Sequence, residues 1–443
     1  MRRTLSLVSA LLVITLASAQ SITFWTTEHQ PERMVVQERI AADFLAATGI
    51  TVDVVPVEES QLAERMTAAF AAGDLPDVIF HPVNYALTWA QAGILDTAAA
   101  TEVIEDLGKA TFGSGALELV AFGDEYTSVP TDGWTQLLLY RADLFEEHGL
   151  APPTTFQAIL DAVEALHDPP NMYGFVAATD PSQDYFMQVF EHFALANGVQ
   201  LIDSDGTVTL DTPALVETLE FYQALAEASP PGNLYWLQSR EMYQDGSAAM
   251  IVWSPFIFTS LVGLRDQFPV TADEPHYSGW LAANTGFVTS VAGPSHPSGA
   301  GWAQLQYLGI TVDADIDAAQ AFVEYLLGDG YLDWLSMAAH GKFPVRRGTL
   351  EEPDRFTQGW SNLEIGVDRF APLADFFPDE VIQSIVEGLE TGSRWGFAQG
   401  QGDLVGRLYG TRIMSELVRD FLDGRRDAAE TATVLQQRVD ALR

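Results

Sequence analysis

From residue 21 to residue 80 the hydrophobic pattern changes period at every step, and this alternation restricts the fold more than any other feature of the chain. Residues 21–25 (Ser-Ile-Thr-Phe-Trp) read as a strand and 31–45 as an amphipathic helix ending around Gly49. Residues 51–56 read as a second strand, 62–72 as a second helix and 77–80 as a third strand. Strand and helix in strict turn predict a parallel sheet wrapped by helices. In such sheets ligands bind beyond the carboxyl ends of the strands, so the loops after Trp25 and after Phe80 are candidate ligand loops on chain order alone. A chain of 443 residues is too long for one ordinary core and suits two domains. A hydrophobic content of 47% rules out disorder.

Residues 1–19 read as a secretory signal, with Arg2-Arg3 as the basic start, 5–16 as the apolar stretch and Ala17-Ser18-Ala19 as the cleavage site. The mature chain is expected to begin near Gln20. No later apolar run approaches the roughly 18 residues of a membrane span, so a soluble periplasmic protein is expected. Cysteine is absent, which excludes disulfides, thiol catalysis and a lipid-modified cysteine anchor. The formal charge of −39, from 61 acids against 22 bases, excludes nucleic acid and anionic membrane as partners. One reading of that charge is a solvated acidic surface; the other is a cationic ligand such as a polyamine.

Further along, the apolar run 137–140 leads into a short helix starting near Asp143 and stopping at Gly149, a good left-handed cap. Pro152-Pro153 bars continuation, and Thr154 or Thr155 can cap the next helix. Asp203-Ser-Asp205-Gly206 reads as a turn rather than a calcium loop. Asp313, Asp315 and Asp317 read as acids favoured by the N-terminus of a helix over 318–327, because Ala318 fills the position that an EF-hand loop gives to Gly. Residues 285–301, rich in Gly, Pro and Ser, read as a connection, and 405–442 as helical. No nucleophile elbow, zinc-protease or phosphate-loop motif is present, so no catalytic residue, metal or cofactor is assigned. With so many carboxylates a glycosidase pair remains open. The ten tryptophans are more telling, since the flat C–H faces of sugars stack on aromatic rings. Trp89, Trp236 and Trp334 lie inside apolar patterns and are expected in the core.

Residues 126–156, from Tyr126 through Val129-Pro130, Asp132, Trp134 and Gly149 to Pro152-Pro153-Thr154, closely resemble the signature of the extracellular solute-binding proteins of ABC importers. The match is to the sugar-binding branch related to maltose-binding protein. Gly73-Asp-Leu-Pro-Asp-Val, Gly246-Ser-Ala-Ala-Met250 and Gly341-Lys-Phe-Pro-Val-Arg346 resemble further elements of the family, in the right order. The resemblance implies two α/β lobes, each a mainly parallel sheet wrapped by helices, joined by a hinge of three crossings. Lobe I would hold 20–131 with about 305–343, and lobe II about 132–304 with 344–443. It also implies a monomer that catalyses nothing, captures a carbohydrate between its lobes and hands it to a membrane permease. Carried over position by position, Glu28, Gln30, His81, Asn84, Tyr85, Asp132, Trp134, Trp253 and Phe256 fall on ligand loops. Trp302, Trp395 and Tyr409 are further aromatic candidates and Arg346 a polar one. For each aromatic, core packing is the competing role, and the polyamine and glycosidase readings stay open.

Overall fold

The computed structural model describes residues 20–203, 205–272 and 279–443; the expected signal segment lies outside them. The large sheet runs in the order Phe343–Pro344, Val129–Thr135, His296–Ile310, Val78–Pro82, Ser21–Thr26, Thr51–Pro56. Val78–Pro82 is buried at every residue, as a strand covered on both faces must be. In Ser21–Thr26 only the even positions Ile22, Phe24 and Thr26 are buried. Phe24 meets Phe322 of the helix Ile316–Leu327 edge to face at 5.3 Å. The helix Pro31–Thr48 ends at Gly49, whose φ of 82° is the left-handed turn that a residue without Cβ adopts freely.

Ser21–Thr26 pairs in parallel with both Thr51–Pro56 and Val78–Pro82, as the alternation predicts. Beyond them the pairing becomes mixed. His296–Ile310 joins antiparallel, and Val129–Thr135 and Phe343–Pro344 follow in the same manner. A second sheet, Met250–Trp253, Leu137–Arg141 and Thr285–Val288, is antiparallel, with Tyr173 and Val176 bridging in parallel to Ala248 and Ile251.

The two sheets are joined through shared segments. Only Gln136 separates Val129–Thr135 of the large sheet from Leu137–Arg141 of the small one. Its N–H donates to the Trp302 carbonyl at 3.0 Å. His296–Ile310 is the second passage, following Thr285–Val288 of the small sheet and ending in the large one. The third follows Phe343–Pro344 and returns at Gly392-Ser393, which pairs with Gly301-Trp302. This is a two-lobed α/β architecture hinged on three crossings.

Residues 285–301, read as a connection, contain Thr285–Val288, Val291–Gly293 and the start of His296–Ile310 instead. Glycine there serves close packing: a Cβ on Gly286 would run into the Tyr140 ring on the neighbouring strand. The capping expectations match the structure. Thr155 accepts the Ala158 N–H at 3.1 Å, Asp315 caps Ile316–Leu327, and Asp203 closes a turn onto Asp205 and Thr207. No helix among the described residues is long and apolar enough to cross a membrane.

Gly133 is the tightest point of the first crossing. A Cβ there would sit 2.5 Å from the Gln304 carbonyl oxygen and would also strike Leu305. Gly133→Ala is expected to lower stability by about 1–3 kcal/mol, the usual cost of overpacking, read from urea unfolding of the unliganded protein. A variant as stable as the parent would mean that the two crossing strands are not packed this closely.

Candidate ligand-binding cleft

Beyond the carboxyl ends of Ser21–Thr26 and Thr51–Pro56 lies a cavity of about 400 Å³. Glu28, Gln30, Arg33, Phe80, Asp132, Trp134, Phe256, Gln304, Gln306 and Lys342 are among its walls. A second cavity of about 550 Å³ shares Trp134 and reaches Gln136, Asp184, Tyr185, Gln188, Trp236, Trp253 and Arg412. The walls come from both sheets, so the two cavities form one cleft divided at the first crossing.

A bulge sets the register of that crossing. Gln306 faces Asp132 and Tyr307 faces Pro130, leaving Thr131 unpaired. Such an extra residue bends a strand and re-aims the side chains beyond it, and Pro130, lacking an N–H, loses nothing in an interrupted ladder. Asp132 is thereby turned inward, only 1% exposed. It accepts the Trp334 Nε1–H at 2.7 Å and pairs with Lys342 Nζ at 3.1 Å.

Lys342 is itself buried and reaches Glu28 Oε1 at 2.5 Å, while Arg33 pairs with the other Glu28 oxygen. The ammonium also lies 5.0 and 4.9 Å from the Phe80 and Trp334 ring centroids. Burial alone would raise the Glu28 carboxyl, but Lys342 and then Arg33 outweigh it and hold it below the ordinary carboxylate value. Burial works against the Lys342 charge too, yet Asp132 and Glu28 overcome it and hold the ammonium up. Asp132 moves the other way. Burial pushes it up and Glu28 adds to the push, beyond what Lys342 and the Trp334 N–H restore. Two carboxylates are thus met by two cations inside the wall, as buried charges require.

The larger cavity is aromatic and amide-lined. Trp253 lies tilted against Trp236 at 5.6 Å and edge-on to Tyr185 at 5.3 Å. Trp134 leans on Trp302 at 5.1 Å and meets Phe256 edge-on at 6.4 Å. Four buried polar atoms on cleft-lining residues have no hydrogen-bond partner: Gln30 Oε1, Gln136 Oε1, Gln306 Oε1 and Trp253 Nε1. Buried polar groups left unmade are costly and rare, so these four lining residues carry hydrogen-bonding capacity that the described residues do not use.

Of the residues singled out from the sequence, Glu28, Gln30, Asp132, Trp134, Trp253 and Phe256 line the cleft. The others do not. His81 is buried, its ring engaging Ser128 and the Pro82 carbonyl, and burial lowers its pKa to about 4. Tyr85 stacks on Trp89 at 4.7 Å, and Asn84 precedes it on the same helix. Arg346 spends its guanidinium on the Leu327 and Leu107 carbonyls and on Thr111. Trp302, Trp395 and Tyr409 converge on the fully buried Glu191 behind the hinge, at 3.0, 2.8 and 3.2 Å. Trp236, expected in the core, is only partly buried and faces the cleft: it opens its short helix, whose buried residues Ser239, Arg240, Tyr243 and Gln244 lie further along. Sequence reasoning missed Lys342, Gln304 and Gln306. The signal was present: the two glutamines fall two residues apart in the apolar run 302–310, hence on one strand face, and Lys342 is one of two lysines in an acidic chain.

A sequence profile of the family described as bacterial extracellular solute-binding protein matches residues 31–332. YcjN of Escherichia coli (strain K12), assigned to the ABC transporter periplasmic-binding proteins, is 26% identical over 431 residues, spanning 95% of this chain and 92% of its own. Among solved structures, the sugar-binding protein MalE of Xanthomonas citri matches with a TM-score of 0.70 at 21% identity, covering 96% of this chain and 97% of its own. The cyclic alpha-maltosyl-1,6-maltose binding protein of Arthrobacter globiformis also reaches 0.70, at 15% identity over 96% of this chain and 99% of its own. At these identities the structural likeness carries the fold alone.

Removing the shared cation should expose the two acids electrostatically. Lys342→Met is expected to cost about 3–5 kcal/mol near neutral pH, the usual result of orphaning buried charge. The sign with pH is set by linkage. In the parent, the Glu28 contribution is present above the ordinary carboxylate pKa and lost as pH falls through its lowered value. The Lys342 contribution is present below the ordinary lysine pKa and lost as pH rises through its raised value. Asp132, raised, slopes oppositely to Glu28 and costs stability as pH climbs through its window. Without Lys342 both acids take up protons more readily, so the deficit should shrink between about pH 8 and pH 5. Urea unfolding at the two pH values checks this; a deficit independent of pH would assign the cost to packing.

Proposed function

The chain belongs to the bacterial extracellular solute-binding proteins, and from that premise we propose that it captures a neutral carbohydrate in the cleft and delivers it to the permease of an ABC importer. The substrate is a di- or oligosaccharide or a glycosylated osmolyte. The protein acts as a periplasmic monomer released from a cleaved signal peptide, and it catalyses no reaction. Lobe I comprises residues 20–131 with about 305–343, and lobe II about 132–304 with 344–443. The lobes close over the ligand by rotation about the crossings, and the closed form is what the permease engages.

One observation carries the carbohydrate reading: three amide oxygens and one indole N–H stand unpartnered on a cleft walled by Trp134, Trp236 and Trp253. Sugar hydroxyls donate and accept at once, and sugar C–H faces cover indoles. The neighbours named for sugar binding support the same class. A cationic solute would want free carboxylates; of the acids lining the cleft, Asp184 shares its cavity with Arg412, Glu58 lies 3.4 Å from His29 beside Glu59, and Glu28 and Asp132 are already matched by Lys342 and Arg33. The same pairing leaves them poor candidates for a glycosidase acid and base, since neither is free to exchange a proton with a substrate.

A thermal-shift screen of sugars, polyols and polyamines identifies the ligand, because a solute that binds only the folded state raises the melting temperature. A rise with polyamines alone would sink the reading. With the sugar found, Gln306→Leu should weaken binding by about 3–10-fold through one lost hydrogen bond, with unliganded melting little changed. Trp253→Ala should weaken it by roughly 10–100-fold and also lower unliganded melting, because that ring is only 8% exposed. Small-angle scattering should show a smaller radius of gyration at saturation; an unchanged profile would count against closure.

A further inference from the structure

Arg240 is an anomaly in a chain whose acids outnumber its bases 61 to 22. It is 3% exposed, and among the described residues its Nε and Nη2 have no hydrogen-bond partner. Among the described residues no carboxylate lies within ion-pair distance of it. Its surroundings are aromatic. The guanidinium carbon lies 5.0 Å from the Trp236 centroid, 5.8 Å from Trp253 and 3.1 Å from Phe268. Arg265 adds a second guanidinium 4.7 Å from the same Phe268 ring. Burial, and then Arg265, lower the Arg240 pKa to about 10, so the group stays charged at neutral pH. Glu241, next along the helix Trp236–Gln244, is exposed and does not close the pair.

Trp236 and Arg240 are one helical turn apart and share a face. Trp236 and Trp253 line the larger cavity, whereas Arg240 is not among its walls. A permanent positive charge therefore stands behind the two indoles that face the ligand. We propose that Arg240 is a specificity-determining residue that biases the Trp236–Trp253 end of the cleft against cationic solutes. The proposal rests on the reading of this cleft as the ligand site and adds the charge class that it rejects.

The physics is that of a ring asked to hold two cations. An indole attracts an ammonium through its quadrupole, and tryptophan walls in an acidic protein would by default make a cage for amines. With a guanidinium already against the rings, a second cation meets repulsion across an aromatic layer of low dielectric. A neutral sugar feels none of this, because stacking of C–H groups and hydroxyl hydrogen bonds carry no net charge.

The test titrates spermidine into the full mature chain by calorimetry, with enough salt to screen the acidic surface, for the parent, Arg240→Met and Arg240→Lys. The parent should bind it weakly. Arg240→Met, similar in length and uncharged, should bind about 10-fold more tightly, the scale of one partly screened charge. Arg240→Lys should return to the parent value, and adding Trp253→Ala to Arg240→Met should abolish the gain. Arg240→Gln replaces the Met variant if circular dichroism shows that Met misfolds. Equal affinity in parent and Met variant overturns the proposal. So does a gain shared by Lys and Met, which would make the effect one of packing, and so does no binding in any variant up to about 10 mM. Tight spermidine binding by the parent would instead refute the carbohydrate reading, while the ratio between parent and Met variant would still decide the role of Arg240.

Discussion

One extended segment belongs to two sheets at once. Val129–Thr135 and Leu137–Arg141 are separated by a single residue, and the Gln136 N–H is tied to the Trp302 carbonyl of the neighbouring crossing. The large sheet cannot set its strand order without fixing the small one, and the cleft between them inherits its geometry from that junction. Gln136 is a cleft wall as the junction itself and Trp134 as its near neighbour; Gln304 and Gln306 are walls because their strand runs beside it. Behind the junction, Glu191 gathers Trp302, Trp395, Tyr409 and Arg394 around one buried carboxylate. None of the five lines the cleft, but Arg394 reaches the lining Gln304 at 3.4 Å.

Charge is handled differently at the two ends of the cleft. At the Glu28–Asp132 end, Lys342 and Arg33 neutralise the acids inside the wall, leaving amides and aromatic faces for the ligand. At the Trp236–Trp253 end Arg240 stands behind the wall with no carboxylate of the described residues within ion-pair distance. Both arrangements offset negative charge at a cleft whose walls also include Glu58, Glu59 and Asp184, in a chain of formal charge −39.

Much of the fold was legible because its signals are local. Gly49 and Gly149 close helices in left-handed geometry, Thr155 caps the helix after Pro152-Pro153, and the alternation over 21–80 folds as read. The antiparallel additions to the sheet were not legible, since pairing between residues 129–135 and 296–310 is set by tertiary contact. Residues 285–301 misled because glycine marks both loops and close approaches, and only the Tyr140 ring against Gly286 tells which. Within the site, Glu28 was readable on the loop after the first strand, and Asp132 through the resemblance carried by residues 126–156. Trp302, Trp395 and Arg346 were not: an aromatic or a cation beside a cleft looks the same in sequence as one behind it, and what separates them is which backbone carbonyl or buried acid lies within reach.

The one-residue junction at Gln136 also limits how this chain can change in length. Side chains alternate sides along an extended strand, so adding or deleting one residue reverses every position beyond it. At Gln136 the reversal would strike both sheets together, turning Leu137 and Leu139 against their present faces while displacing Trp134 from the cleft. Surface turns such as the Asp203 loop can gain or lose residues with little consequence. The junction has no such freedom: it works as a ruler of fixed length that both lobes read from opposite ends.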